Sequence, residues 1–363
     1  MEKERRALLS LLRSGLWLAS PDDDSCYGLS SDGWEAVFRL ARQQTVTGVA
    51  YRGLQFLPDR VLPPEPLLMR WTAVVDAVER KNREMDRTLA GLYSEFRSLG
   101  LDPVLQKGQG VAQLYEEPLL RECGDIDFYF NSRMAMELSS SYVRKRGIRV
   151  VEHADRSVFY VWKGVEVEHH ARLFDLHNPF LHKEAAGLET EYGYCKVDIP
   201  AGSQDNMFSA TVPSPFLNVL LLDLHILKHA LGWGIGLRQL CDMARACYRL
   251  HCEVDASEMK YVSRRFGLEK WNLLLHAFLS GVLGLPEECL PYRETARSAE
   301  PLLDIVWRGG NFGLYLPGRS SRNAFSGKLQ TSRSFLRNMR FSWNYAPKEA
   351  FWIFTGLLRG QLR

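Results

Sequence analysis

Apolar positions recur at helical spacing over the first hundred residues, alternate with polar ones through the middle of the chain, and return to helical spacing towards its end. Near the start, Leu8, Leu12 and Leu16 stand at i, i+4, i+8, the pattern of an amphipathic helix. Trp34, Val37, Phe38 and Ala41 share one helical face. The turn signal Leu62-Pro63-Pro64-Glu65-Pro66 precedes a long helix predicted over 67–99. Its stripe is Leu68, Trp71, Val75, Val78, Met85, Leu89, Leu92 and Phe96, and Gly100 is a natural stop. From 101 the period shortens. Residues 102–106 read as a short strand, followed by Lys107-Gly108-Gln109-Gly110 and a short helix through Tyr115. Residues 125–131 (D-I-D-F-Y-F-N) alternate and then turn aromatic, which predicts a strand. A helix is expected over 134–145. Strands are expected over 149–152, 157–162, 165–170 and 192–199, with Lys163-Gly164 as the turn before the third of these. Helices are expected again over 216–231, 237–250, 256–266, 269–282, 298–308 and 332–361, with Gly232 to Gly236 as a helix–helix turn.

This order predicts an α+β protein in which a small mixed β-sheet core is flanked by helical N-terminal and C-terminal regions. The expected divisions are a helical region over 1–100, an α+β core over 101–212 and a helical domain over 213–363. A chain of 363 residues has room for two or three such domains. Neither an internal repeat nor a low-complexity segment is visible.

Composition narrows the picture. With 46% hydrophobic and 25% charged residues, the chain has the content of an ordinary folded soluble protein. A formal net charge of +3 provides no global basic field for non-specific nucleic-acid binding, but leaves room for a local basic cleft. The seven cysteines are odd in number and show no C-x-x-C spacing, so they read as reduced thiols, not as a disulfide or zinc framework. Arg13, Ser10, Ser14 and Gly15 interrupt the apolar stretch that follows Lys3, Arg5 and Arg6, which fits an amphipathic helix better than a signal peptide. The longest apolar region, 216–231, contains Asp223, His225, Lys228 and His229 and is too polar for a membrane span. A cytoplasmic protein with no membrane segment is expected.

The candidate chemistry lies in acidic strands. In Gly124-Asp125-Ile126-Asp127-Phe128, alternation turns Asp125 and Asp127 to one face and Ile126 and Phe128 to the other. Paired carboxylates repel and lose hydration unless they face water or hold a cation. A bare D-x-D fits either case. The second acidic strand, Val165-Glu166-Val167-Glu168-His169-His170, again places two carboxylates on one face. Asp125, Asp127 and a third acid, Glu168 or Glu166, would make up the set that two-metal phosphoryl or nucleotidyl transfer requires. Upstream, Lys107 and the glycines Gly108 and Gly110 suit close approach to phosphates, although a plain turn with a surface lysine explains the same residues.

Three segments together carry a resemblance: L-Q-K-G-Q-G-V-A-Q-L-Y, R-E-C-G-D-I-D-F and V-E-H-H-A-R-L-F. They resemble a family of uncharacterised bacterial nucleotidyltransferases in the polymerase-β-like superfamily. Lys107 and Gly108 match its lysine–glycine after the first strand. Arg121, Asp125 and Asp127 match its arginine before G-D-I-D. Glu168 and His170 match its later acid–x–histidine strand. His225, His229, Arg238, Gln239 and Asp242 match its C-terminal region. The resemblance touches residues 34–360 and is densest at 104–130, 165–173 and 222–244. It implies Asp125, Asp127 and Glu168 as catalytic residues and as ligands of two Mg²⁺ ions. It implies Lys107, Gly108, Gln109, Arg121, His170 and Arg238 as residues that bind a nucleoside triphosphate, expected to be ATP. Glu168 would also take the acceptor's proton. Arg121 could instead pair with Asp125 or Asp127. The acceptor stays open: a small molecule, a sugar, a protein side chain or the 3′ end of an RNA.

One element departs from the superfamily pattern. Where a glycine–serine or glycine–glycine pair contacts the triphosphate, this chain has Gly108-Gln109. A catalytically inactive relative that binds nucleotide or a partner protein would show such a change, and is the alternative reading. A kinase-like reading finds neither a G-x-G-x-x-G loop nor an H-x-D-x-x-x-x-N pattern. His225 and His229 have zinc-compatible i, i+4 spacing but no evident third ligand. Arg238 and Asp242 are also i, i+4 and can pair along their helix. Residues 335–343 and 351–358 mix aromatics with Arg337 and Arg340, with Arg359 and Arg363 beyond them. That mixture suits an amphipathic helix face or a nucleic-acid contact.

Overall fold

The computed structural model describes all residues except 22, 154–155, 204, 233, 311–337 and 359–363. The expectations for residues 332–337 and 359–361, and for Phe335, Arg337, Arg359 and Arg363, lie outside the described residues. The chain is mixed α and β, 62% helical, with one seven-stranded mixed sheet and helices flanking it, as the sequence predicts.

The chain divides into two compact units. One comprises Met1–Asp76, Leu176–His182 and Leu222–Arg363. The other comprises Ala77–Asp175 and Lys183–Leu221.

In chain order the helices are α1 (Glu2–Trp17), α2 (Ser31–Gln43), α3 (Thr47–Leu54), α4 (Glu65–Ser98), α5 (Gln109–Ala112), α6 (Arg133–Lys145), α7 (His182–Tyr192), α8 (Pro215–Leu231), α9 (Leu237–Leu250), α10 (Ala256–Phe266), α11 (Glu269–Gly281) and α12 (Glu300–Gly309). A further helix covers Pro347–Leu358. The strands are β1 (Val104–Leu105), β2 (Ile126–Tyr129), β3 (Val151–Glu152), β4 (Val158–Trp162), β5 (Val165–His170), β6 (Tyr194–Ser203) and β7 (Asn206–Pro213).

The sheet belongs to the second unit and runs β3-β4-β5-β2-β1-β7-β6. β2 lies parallel to β5, and β1 parallel to β7; the other neighbours are antiparallel. The β4–β5 hairpin turns at Lys163 (φ 49°) and Gly164 (φ 85°), two consecutive positive φ values of the kind a tight hairpin needs. The sequence pattern predicts neither β7 nor the extension of β6 to Ser203.

The two faces of β2 differ in chemistry. Ile126, Phe128 and Phe130 join Met85, Leu89, Leu92, Tyr93 and Phe96 of α4 in the core. Phe96 meets both Phe128 and Phe130 edge-on at 5.6 Å between ring centres. Truncating so buried a ring costs about 3–5 kcal/mol, so the position of β2 is firmly fixed. The opposite face presents Asp127 and Tyr129, both also buried. The Tyr129 hydroxyl donates to Glu189 on α7 at 2.8 Å.

In the first unit, α1 packs on α3 almost backbone to backbone. A Cβ on Gly15 would stand 2.0 Å from the Val49 carbonyl oxygen, and one on Gly53 would stand 2.1 Å from that of Leu11. The leucine spacing of α1 therefore serves a buried face, with Leu8, Leu12 and Leu16 all inside.

Candidate functional site

The site grows out of strand register. β2 and β5 are parallel neighbours in which Asp127 stands directly beside Glu168, and Tyr129 beside His170. Alternation then gives Asp127, Glu168 and His170 one common face. One ligand atom from each lies within 4.8 Å of the others, the only such group among the described residues with metal-ligating potential. Glu166, two residues earlier on the same face of β5, is exposed and not part of this group. Asp125 lies just before β2, half-buried, and also falls outside it.

Asp127 is 4% exposed, and its two oxygens face different partners. Oδ1 lies 2.7 Å from His170 Nε2, and Oδ2 lies 3.3 Å from Lys107 Nζ. His170 Nε2 is also 3.9 Å from Glu168 Oε2. Burial pushes the His170 imidazole down, but the hydrogen bond and charge of Asp127 outweigh it, and the net shift is upward. Burial likewise pulls Lys107 down. The surrounding carboxylates of Asp127, Asp175, Asp125 and Glu168 reverse that and hold its ammonium above the ordinary value. The buried cation is therefore retained.

The neighbouring His169 shows how completely alternation separates two adjacent histidines. It points to the core face, where its Nδ1 meets Ser139 Oγ at 3.2 Å and its Nε2 meets the Tyr160 hydroxyl at 2.8 Å. Burial first, and the charge of His170 second, depress it to about 3, so it is a neutral packing residue.

Lys107 is delivered by the turn after β1. Gly108 there has φ 60°, which favours glycine, and a Cβ on it would stand a tight 3.3 Å from the Asp125 carbonyl oxygen. The helix that follows, α5, is a single turn of four residues, shorter than predicted. It has little macrodipole to offer an anion. Gln109 is 1% exposed, and neither its Nε2 nor its Oε1 has a hydrogen-bond partner among the described residues. Arg121 is buried and donates to Cys123 Sγ at 3.2 Å. Arg238 is half-buried on α9, in the first unit. On α8, His225 and His229 lie edge to face, 4.6 Å apart.

Two residues of this site escaped the sequence reading. Gln106 is buried. Its Nε2 donates to the carbonyls of Arg172 and Leu173, each at 3.0 Å, and its backbone N–H donates to Asp127 O at 3.0 Å. It thereby ties the segment after β5 to both β1 and β2. That segment, packed through buried Leu173 and Phe174, carries Asp175 to the neighbourhood of Lys107. The only signals were position: Gln106 precedes Lys107, and Asp175 follows the V-E-H-H strand by five residues.

A buried carboxylate flanked by a lysine, a histidine and a second carboxylate is suited to holding a divalent cation and neutralising an anionic ligand beside it. No curated protein and no solved structure matches the chain. The model of a family described as "Uncharacterised nucleotidyltransferase" matches residues 30–283, which take in β1 to β7 and both acidic strands, and the chain belongs to that family.

Proposed function

We propose that the chain is a Mg²⁺-dependent nucleotidyltransferase that moves a nucleoside monophosphate from a nucleoside triphosphate, ATP in the first instance, to an acceptor hydroxyl. The observation that carries this reading is the convergence of Asp127, Glu168 and His170 within 4.8 Å of one another, with Lys107 Nζ 3.3 Å from Asp127. Family membership supports the reaction class. We read the protein as a cytoplasmic bacterial member of the polymerase-β-like superfamily. Its catalytic core would be residues 101–212, between helical regions at 1–100 and 213–363.

Asp125, Asp127 and Glu168 would hold two Mg²⁺ ions. Bound there, the ions neutralise phosphate charge and favour in-line displacement. Lys107 and Arg121 carry positive charge to the triphosphate, and Gly108 lets the backbone come close to it. Before an ion binds, His170 holds Asp127 in place through the bond at Oδ1. Glu168 takes the proton of the acceptor hydroxyl. The hydroxyl oxygen bonds to the α-phosphorus as the bond to the bridging oxygen breaks, and pyrophosphate leaves with that electron pair. Arg238 and the acceptor, whether small molecule, protein or RNA, belong to a recognition step that the core residues do not specify.

A second reading, a non-catalytic nucleotide- or protein-binding relative, is favoured by one observation: Gln109 stands in the triphosphate-contacting pair, and its side chain is buried. Two measurements separate the readings. Labelled nucleoside triphosphate with Mg²⁺ should release pyrophosphate in the presence of the wild type. Calorimetric titration of each of the four common ribonucleoside triphosphates should show Mg²⁺-dependent binding that the Asp125→Ala/Asp127→Ala variant loses. Binding without turnover would favour the second reading, and no binding would remove both nucleotide readings.

A further inference from the structure

The donors at the centre of the site are not all oxygens. Asp127 and Glu168 are cross-strand partners, and His170 is the next residue along β5 on the same face. Its Nε2 lies 2.7 Å from Asp127 Oδ1 and 3.9 Å from Glu168 Oε2. Adjacent ligands of an octahedral ion with bonds of about 2.1–2.2 Å stand about 3.0 Å apart. These two separations bracket that value and the third lies within 4.8 Å, so side-chain rotation would have to draw the three ligand atoms together around an ion.

His169 and Glu166 are excluded by position. His169 faces the core and spends both ring nitrogens on Ser139 and Tyr160. Glu166 is exposed and outside the cluster. Lys107 lies against Asp127 Oδ2, while Oδ1 faces His170 Nε2, the nitrogen that would share an ion with it.

We infer that His170 supplies a nitrogen ligand to the cation held by Asp127 and Glu168, and that this mixed donor set makes the resident site prefer Mn²⁺ over Mg²⁺. Mg²⁺ is a hard ion that keeps oxygen ligands and gives up water reluctantly. Imidazole nitrogen suits first-row transition ions, of which Mn²⁺ binds most weakly and is the one closest to Mg²⁺ in its preference for oxygen, so Mn²⁺ can use both donor types of this site. The inference rests on the nucleotidyl-transfer reading for the purpose of the ion, but not for its ligands. A Mg²⁺ ion arriving with the triphosphate is compatible with it, since phosphate oxygens would form most of that ion's shell.

The test uses the full chain and Mn²⁺ alone. Electron spin-echo envelope modulation of bound Mn²⁺ should show the ¹⁴N signature of one imidazole, which His170→Ala and His170→Gln should lose. Mn²⁺ affinity, read by continuous-wave resonance, should fall by about tenfold or more in His170→Ala, the scale seen when the shell of a metal site is damaged. Mg²⁺ should need a large excess to displace Mn²⁺ from the wild type. His170→Asp, which restores an all-oxygen set, should narrow that excess and keeps the test open if the alanine variant does not fold. Bound Mn²⁺ without ¹⁴N modulation would overturn the inference. So would modulation that survives His170→Ala, displacement by equimolar Mg²⁺, or failure to bind Mn²⁺. If modulation is present but no triphosphate is turned over, the nucleotidyl-transfer reading fails and the ligand assignment stands.

Discussion

Lys107 Nζ lies 3.3 Å from Oδ2 of Asp127, and both side chains are largely buried, so a lysine occupies the position next to a carboxylate that is also the best candidate cation ligand. Two opposed functions follow. The ammonium neutralises a cluster in which Asp125, Asp127, Glu168 and Asp175 would otherwise repel one another, and it competes with any cation that enters.

Lys107→Met should therefore act in opposite directions on the two ligands. Removing a positive charge a few ångströms from the cation position should tighten Mn²⁺ binding by about tenfold, a modest fraction of the Coulomb energy at that range. The same substitution should weaken Mg²⁺-dependent ATP binding by about tenfold or more, because a phosphate contact is lost. Resonance titration of Mn²⁺ and calorimetry with ATP measure the two effects. Weakening of both would mean that Lys107 supports the site only structurally.

Gln106→Leu has nearly the same volume but cannot donate. It should leave the carbonyls of Arg172 and Leu173 without their shared partner and cost about 1–3 kcal/mol, the usual penalty for a buried polar group left unsatisfied. Because the loosened segment carries Asp175, ATP affinity should fall as well, while the ¹⁴N signature of bound Mn²⁺ stays. Chemical denaturation and calorimetry on the same preparation test this. An unchanged midpoint together with unchanged ATP affinity would remove Gln106 from the site.

Much of this was legible in the sequence, and the limits are physical. The 165–170 strand appears at its predicted bounds because one face is core and the other polar, which is where period two is cleanest. The same alternation separates His169 from His170. β7 carries no sequence signal because its exposure grades along its length: Asn206 and Met207 are open, whereas residues 210–213 are buried whichever way they point, so no alternation is left to read. Alternation pairs Asp125 with Asp127 although the strand itself begins at Ile126, and only the register with β5 shows that Glu168 stands beside Asp127. Gln106 and Asp175 act through tertiary contacts with partners tens of residues away, which no local pattern encodes. The close approach of α1 and α3 was hidden for a similar reason. Gly15 read as a dilution of an apolar run, while its role is to let a carbonyl from another helix pass.

That approach makes Gly53→Ala a sharp test of the first unit. The added methyl would start 2.1 Å from the Leu11 carbonyl oxygen, and neither backbone can yield without moving a whole helix. The expected loss is about 2–4 kcal/mol, from the middle of the usual range for overpacked sites to somewhat beyond it. Gly91→Ala on α4 has nothing within 4 Å of the new methyl and should be neutral or slightly stabilising, as helix propensity favours alanine. A thermal melt of both variants decides the matter. Equal melting temperatures would mean that α1 and α3 do not meet as described.

Asp223 gives a pH-dependent prediction with a definite sign. It is 3% exposed on α8 and accepts a hydrogen bond from Trp271 Nε1 at 2.6 Å. Burial raises its carboxyl to about 7, against the lowering effect of Trp271 and Asn272. Its folded-state pKa thus lies above the unfolded value, so the folded chain binds this proton more tightly. The stability it contributes is complete below the unfolded pKa near 4 and is lost as pH rises through about 7. Asp223→Asn keeps an acceptor for Trp271 but has no proton to lose. Wild type should therefore decline relative to the variant between about pH 4.5 and 8, at a slope approaching but not exceeding about 1.4 kcal/mol per pH unit. Urea denaturation of both proteins at several pH values across that interval measures it. Parallel curves would show that Asp223 stays ionised throughout, with the Trp271 and Asn272 hydrogen bonds sufficient to hold a buried carboxylate.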